Sequence, residues 1–363
     1  MRSSTITGIA FLLLASCTQA PDRQPSTKPA LELSEFAQTI DSLRIAAQIP
    51  GLSVAVVRDG EVIFARGFGY ADLERRIPAT PETPYDIASV TKPISAVVAF
   101  RLVEEGRLDL DRPIADYSEW AAFCSEFREQ PTLFAKGLTC DPPVHTLRHL
   151  LTHTATGQPG ARFTYNPVLF SWASRPIMQA TGSSFSDLVA HYVFRAAGMT
   201  HSARRHRDLP LRTDLAETIA LPYHVDSTGA VVRSPRPSPQ GDGAAGGIVS
   251  TVLDLARFDA ALERGTLLSP PSYDAMMRPM RSPAGESLAY SVGWFAQQYE
   301  GHEIRWHSGW WDDAYSALYL KVPDEDLTFI VLANSEGIWW DNPLDSAQVQ
   351  QSAFAQAFFR AFL

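Results

Sequence analysis

Apolar and polar positions follow a strand-like pattern at both ends of the chain and a helical one through its middle. Leu52-Ser53-Val54-Ala55-Val56-Val57 reads as a strand, Asp59-Gly60 as a tight hairpin turn, and Val62-Ile63-Phe64-Ala65 as the returning strand. Gly67, Gly69 and Asp72 are expected to lead out of the sheet. Towards the C-terminus, Ser291–Gln298, His302–His307, Tyr315–Val322 and Leu327–Ala333 are separated by short turns and predict an antiparallel meander. Leu33, Phe36, Ala37, Ile40, Leu43 and Ala47 predict a first helix over Leu33–Ala47. Ala353, Phe354, Ala357, Phe358 and Ala361 place one apolar stripe on a closing helix, Ala347–Phe362, which should cover the sheet.

The middle reads as helices over Thr91–Glu105 (ended by Gly106), Thr146–His153, Leu169–Ala180, Phe185–Ala197 and Val252–Arg264. Pro78 to Pro84 is a loop that delivers the chain to Ser89, and Asp116–Pro143 reads as an irregular insertion. Pro222–Pro239 is a loop or small hairpin, and Gln240–Gly247 is a glycine-rich loop. The expected architecture is an α/β domain from residues 31–90 and 285–363, an antiparallel sheet flanked by helices, interrupted by an inserted helical domain at 91–284. Clefts between such parts are favoured places for sites.

Composition narrows this picture. With 45% hydrophobic and 20% charged residues, the 363-residue chain suits a globular fold, and a net charge of −9 argues against a nucleic-acid partner. Arg2 and the short apolar run Ile9–Ala15 read as a targeting segment, too short to span a bilayer. It ends in Leu14-Ala15-Ser16-Cys17, which resembles a bacterial lipobox. Residues 1–16 are then a lipoprotein signal peptide, Cys17 is lipidated, and the Pro-, Ser- and Thr-rich stretch to Ala30 is a tether over 17–30. An ordinary signal peptide is the alternative, and both readings export the protein. Thr18 rather than Asp after the cysteine favours the outer membrane, facing the periplasm. Setting Cys17 aside leaves Cys124 and Cys140, an even pair for which an oxidising compartment favours a disulfide over two free thiols.

The candidate chemistry begins at Ser89-Val90-Thr91-Lys92. A serine and a lysine three apart at a helix start share one face, so the amine can reach the hydroxyl. A lysine made neutral by burial can take the serine proton, which an arginine cannot do. Of the four lysines, Lys28, Lys92, Lys136 and Lys321, only Lys92 has a serine three residues before it. Its bland alternative is a solvated helix residue. Tyr165, in a polar turn after Gln158-Pro159-Gly160, suits a proton shuttle, or else a packing tyrosine. Trp306-His307-Ser308-Gly309 ends a strand, and Gly309 leaves room for a substrate along that edge; His307 alone would be an ordinary strand-end histidine.

Taken in order, Ser89-Val90-Thr91-Lys92, Tyr165 and His307-Ser308-Gly309 resemble the penicillin-recognising serine hydrolases, in the branch of class C β-lactamases, D,D-peptidases and family VIII esterases. Tyr85-Asp86-Ile87-Ala88, Leu150-Leu151-Thr152-His153-Thr154, Gly246-Gly247-Ile248-Val249-Ser250-Thr251 and Leu332-Ala333-Asn334-Ser335 extend the likeness over Leu33–Leu363. The resemblance implies the β-lactamase/transpeptidase-like fold and a covalent acyl-enzyme without a cofactor or metal. It implies Ser89 as nucleophile, Lys92 as proton acceptor and Tyr165 as proton relay. The backbone N–H groups of Ser89 and Trp310 would form the oxyanion hole. His307, Ser308, Gly309, Asn166 and Trp311 would contact substrate, with His307 where many relatives carry lysine. The family's asparagine belongs two residues after the tyrosine, where this chain has Pro167, with Asn166 one position early. A histidine in the third motif ranks a small-molecule ester or D-peptide substrate above a β-lactam, and a true β-lactamase stands as an alternative.

Two rivals come from other classes. His145, His149 and His153 recur every four residues, but no His-Glu-x-x-His pattern is present, so capping and core roles are preferred to zinc. A non-catalytic cell-envelope binding or sensor protein of the same fold would not need Ser89, Lys92 and Tyr165 intact. Six of the eight tryptophans lie between Trp294 and Trp340, which suggests an aromatic wall beside the third motif, or else sheet packing.

Overall fold

The computed structural model describes Met1 and residues 30–141, 144–340 and 347–363. The expected targeting segment, the proposed lipidation at Cys17 and almost all of the expected tether fall outside the described residues.

The predicted strands from the two ends of the chain meet in one antiparallel sheet. Among the described residues it has seven strands, in the spatial order Ile77–Pro78, Glu61–Asp72, Gly51–Arg58, Leu327–Ala333, Tyr315–Val322, His302–Trp311, Phe295–Tyr299. The join is the Gly51–Arg58 strand against Leu327–Ala333, with Val54 opposite Val331. Side chains on successive positions point to opposite faces. Leu52, Val54, Val56, Phe329 and Val331 therefore pack in one cluster with Phe36, Ile40, Phe354 and Phe358 from the first and last helices. Ala55, Val57, Ile330 and Leu332 point the other way, and their cluster runs without a break into Ile94, Val97, Val98, Leu255 and Phe258 of the middle helices. The last helix, Ala353–Phe362, buries one stripe on the sheet as its pattern predicts.

Three local expectations are corrected. The second strand runs the full length Glu61–Asp72, so Gly67 and Gly69 lie within it rather than leading away. Ser118–Arg128 is a helix, not irregular chain, and it buries Trp120, Cys124 and Phe127 at helical spacing. It places Cys124 against Cys140, and the two form a disulfide, with their Cα atoms 5.9 Å apart. The strand expected from Ser291 begins at Phe295, because Ser291–Trp294 is a tight turn closed by Ser291 N–H to the Trp294 carbonyl. Among the described residues, no helix is long and apolar enough to cross a membrane.

The serine turn packs where helix meets sheet. Ala88–Val90 is a single 3-10 turn that leads directly into the helix Thr91–Glu104, beside the His302–Trp311 strand. That helix is buried nearly all round, from Thr91 through Phe100, which makes it the central post of the molecule.

Candidate active site

Asp86 shapes the serine turn. Its carboxylate accepts the Ala88 N–H at 3.0 Å, and the Ile87 carbonyl accepts the Val90 N–H at 3.0 Å. Ala88 is held at φ +47, a left-handed conformation that costs a non-glycine residue free energy and needs such support. The result aims the half-buried Ser89 at the space between the helix and the strand.

Three functional groups converge there. Lys92, one turn on from Ser89 and fully buried, has its Nζ 2.6 Å from Ser89 Oγ and 2.7 Å from the Tyr165 hydroxyl. The Tyr165 hydroxyl donates to Ser89 Oγ at 3.0 Å, closing a triangle. The glycine-rich loop adds a backbone acceptor, the Ala245 carbonyl, 3.3 Å from Lys92 Nζ. Nearby, the Ser95 hydroxyl donates to the Ala244 carbonyl at 2.6 Å and ties that loop to the serine helix. The Lys92 amine has the Tyr165 and Phe170 rings at 5.0 and 5.5 Å, and no carboxylate among its contacts. Burial in this apolar shell drives the Lys92 amine well below its ordinary pKa, so it favours the neutral form. Burial also pushes the Tyr165 phenol up, which keeps its proton on at neutral pH.

The third motif closes the site from the sheet side. A Cβ on Gly309 would stand 2.3 Å from the Ile87 carbonyl oxygen, so only glycine lets the strand lie this close to the serine turn. Trp310 follows it, paired with Ser316 across the sheet, 40% exposed and stacked on Trp339 at 5.6 Å. Trp311 is half-buried, and its indole N–H donates to Asp86 at 2.9 Å, joining the strand to the serine turn. Trp294 and Trp306 are fully buried core residues, so the aromatic rim of the site is narrower than the tryptophan spacing suggested.

Two expected substrate contacts are corrected. Asn166 is buried: its side-chain oxygen accepts the Leu169 N–H at 3.0 Å, and its amide nitrogen donates to the Phe134 carbonyl at 2.6 Å. With Pro167 at the first helical position, it is a helix cap rather than a substrate ligand. His307 is also fully buried, with Nδ1 2.7 Å from the Ser308 carbonyl and Nε2 2.9 Å from the Tyr290 hydroxyl. Both ring nitrogens are occupied, so it does not present a free polar head to a ligand in this conformation. Burial, then the nearby Lys92, holds its imidazole well below the usual pKa and therefore neutral. Ser308 is buried beside it.

Sequence reasoning missed the Ala245 carbonyl, Tyr290 and the shaping roles of Asp86 and His153. The spaced histidines are capping and core residues. His145 Nε2 meets the Ala155 carbonyl at 2.9 Å, His149 Nδ1 closes a capping box with Thr146, and His153 Nδ1 accepts the Asn166 N–H at 3.0 Å. His149 is pushed down to about 4, chiefly by burial.

A Ser–Lys–Tyr triangle with a buried lysine and a half-buried serine and tyrosine, set between an antiparallel sheet and a helical layer, defines a penicillin-binding-protein-like arrangement, the β-lactamase/transpeptidase fold. The chain matches the beta-lactamase family over residues 36–353 and belongs to that family. It is 26% identical over 331 residues to penicillin-binding protein 4* of Bacillus subtilis (strain 168), covering 78% of this chain and 68% of that protein. It is 25% identical to protein flp of Staphylococcus aureus (strain NCTC 8325 / PS 47) over 79% of this chain, but spans only 60% of flp. Three solved structures share the fold. The octameric penicillin-binding protein homologue of Pyrococcus abyssi has a TM-score of 0.71 at 24% identity, covering 90% of this chain and 77% of that one. The D-amino acid amidase of Ochrobactrum anthropi SV3, complexed with L-phenylalanine, has a TM-score of 0.70 at 20% identity, covering 90% and 98%. EstCE1, a hydrolase with promiscuous acyltransferase activity, has a TM-score of 0.69 at 17% identity, covering 91% and 99%.

Proposed function

We propose that this protein is a serine hydrolase that cleaves small esters or D-amino-acid amides and peptides through a covalent Ser89 acyl-enzyme. The observation that carries this reading is the triangle of Ser89, Lys92 and Tyr165, with polar atoms 2.6, 2.7 and 3.0 Å apart.

The hydrogen-bond inventory orients each group. A neutral amine has two N–H bonds and one lone pair. The Ala245 carbonyl can only accept, so it takes one Lys92 N–H. The Tyr165 oxygen takes the second, since its own proton is directed at Ser89. The Lys92 lone pair is left facing the Ser89 hydroxyl and receives its proton as Oγ attacks the substrate carbonyl. The carbonyl π pair becomes an oxyanion, held by the backbone N–H groups of Ser89 and Trp310. Tyr165 then passes a proton to the leaving oxygen or nitrogen and is reprotonated by Lys92. In the second half, water attacks the acyl carbon, gives its proton to this relay, and returns Ser89 as a hydroxyl.

A D-amino acid amidase and a hydrolase with acyltransferase activity share this fold, which supports an amide or other acyl substrate. The inward-facing, neutral His307 offers no cation to a ligand, which ranks a carboxylate-bearing β-lactam below uncharged esters and amides. Export as a lipoprotein through Cys17 fits the Cys124–Cys140 disulfide, since such bonds persist in oxidising compartments. The test is a substrate panel of short-chain aryl esters, D-amino-acid amides, D-alanyl peptides and a chromogenic cephalosporin, with Ser89→Ala as control. Turnover lost in the control supports the reading, and an equally active control refutes it.

A further inference from the structure

His153 touches the segment that carries Tyr165 in three ways. Its carbonyl accepts the Thr164 N–H at 2.8 Å, and its Nδ1 accepts the Asn166 N–H at 3.0 Å. Its ring lies 4.3 Å from the Tyr165 ring, inclined by 37°. The residues before and after Tyr165 are thus pinned by one amino acid, and the phenol ring leans on the same residue. We propose that His153 is the positioning residue that sets the Tyr165 hydroxyl between Ser89 and Lys92. This rests on the hydrolase reading above.

Two features of His153 suit this role better than plain packing. It is held at φ +54, a left-handed conformation uncommon outside glycine, which histidine enters more readily than most other residues. Because a peptide N–H can only donate, Nδ1 must carry its lone pair, so the neutral ring carries its proton on Nε2. The residue is 1% exposed, and Nε2 has no hydrogen-bond partner among the described residues. An apolar side chain would fill this space, between Phe163, Phe170 and Tyr290, without a stranded donor. The imidazole therefore supplies something an apolar residue lacks, and the one bond its ring makes is to the backbone beside Tyr165. Unfavourable conformations gather where geometry serves chemistry. Burial, together with Lys92 and His307, keeps the imidazole neutral and so preserves the Nδ1 acceptor.

Asparagine separates the two roles. Its Oδ1 can replace Nδ1 as acceptor, and it tolerates a left-handed backbone. His153→Leu removes the acceptor and the ring. In the full chain, kcat and KM for a short-chain aryl ester are measured for wild type and both variants, with circular dichroism to confirm folding. Tyrosine labelled at Cζ reports the Tyr165 environment by NMR, its signal assigned with Tyr165→Phe. His153→Leu should lower kcat about 10- to 100-fold with little change in KM and shift the Tyr165 signal. His153→Asn should recover kcat to within about fivefold and return the signal towards its wild-type position. A folded His153→Leu with an unshifted Tyr165 signal overturns the proposal, as does a His153→Asn as displaced as the leucine variant. Should His153→Leu not fold, His153→Asn decides alone: a wild-type-like signal supports the role and a displaced one refutes it. If wild type turns over neither the ester nor any amide or peptide of the panel above, the hydrolase reading fails, and the Tyr165 signal still decides the positioning claim.

Discussion

Gly309→Ala probes the contact on which the site's geometry depends. The new Cβ would stand 2.3 Å from the Ile87 carbonyl oxygen and 3.2 Å from both the Ile87 carbonyl carbon and the Ala317 Cβ. Ordinary contact begins at 3.4 Å, so the strand and the serine turn must separate by about 1 Å. Neither side yields easily. The Ile87 carbonyl also holds the Val90 N–H, and Gly309 is paired with Ala317 inside the sheet. Backbone conformation is no obstacle, because Gly309 is not among the glycines with positive φ. Overpacking of this kind costs about 1–3 kcal/mol of stability. A displacement of about 1 Å in the proposed oxyanion donors should slow acylation about 100-fold, or about 2.7 kcal/mol in the barrier. The assay is the second-order rate of Ser89 labelling by a fluorophosphonate, beside a thermal melt. A folded Gly309→Ala variant that labels at the wild-type rate would refute the reasoning.

Acylation should require neutral Lys92, whose pKa burial places well below the usual lysine value of 10.5. The labelling rate should rise with pH through this lowered pKa and stay level above it; a rate that climbs only above about pH 9.5 would contradict a buried neutral base. Lys92→Arg should abolish labelling in a protein that still folds, because arginine keeps its proton, and an active variant would remove the lysine from the mechanism. Asn166→Ala should cost about 1–2 kcal/mol through the lost cap while leaving KM for amides unchanged; a raised KM at unchanged stability would restore a substrate role. Cys124→Ser with Cys140→Ser should cost about 3 kcal/mol in a denaturant melt, given the 16-residue separation. Cys17→Ser should move the protein from the membrane fraction to the soluble one, and an unchanged distribution would dismiss the lipid anchor.

Much of this was legible in the sequence because periodicity and motif order are local signals. The apolar runs at Leu52–Val57 and Leu327–Ala333, each bounded by a turn, located strands that pair with each other, and the stripe on Ala353–Phe362 located the helix over them. Ser89 and Lys92 were legible because three residues of helix fix their distance, and the structure brings Tyr165 to them from 73 residues beyond Lys92. What failed was side-chain direction. His307 sits on the expected strand but turns inward to Tyr290, a partner that no spacing reveals. Asn166 carried a readable sign, because asparagine followed by proline is a helix-start signature. Trp120, Cys124 and Phe127 likewise marked a helix that the surrounding prolines obscured. The Ala245 carbonyl could not be read at all, because a backbone acceptor leaves no mark in the choice of side chain.

The most direct test of the account is mass spectrometry of the intact chain and its peptides after treatment with a fluorophosphonate or a labelled penicillin. A covalent Ser89 acyl-enzyme predicts a single adduct on the peptide that carries Ser89, absent in Ser89→Ala. An unlabelled Ser89, under conditions where a control serine hydrolase reacts fully, would contradict the covalent mechanism and favour a binding protein of the same fold.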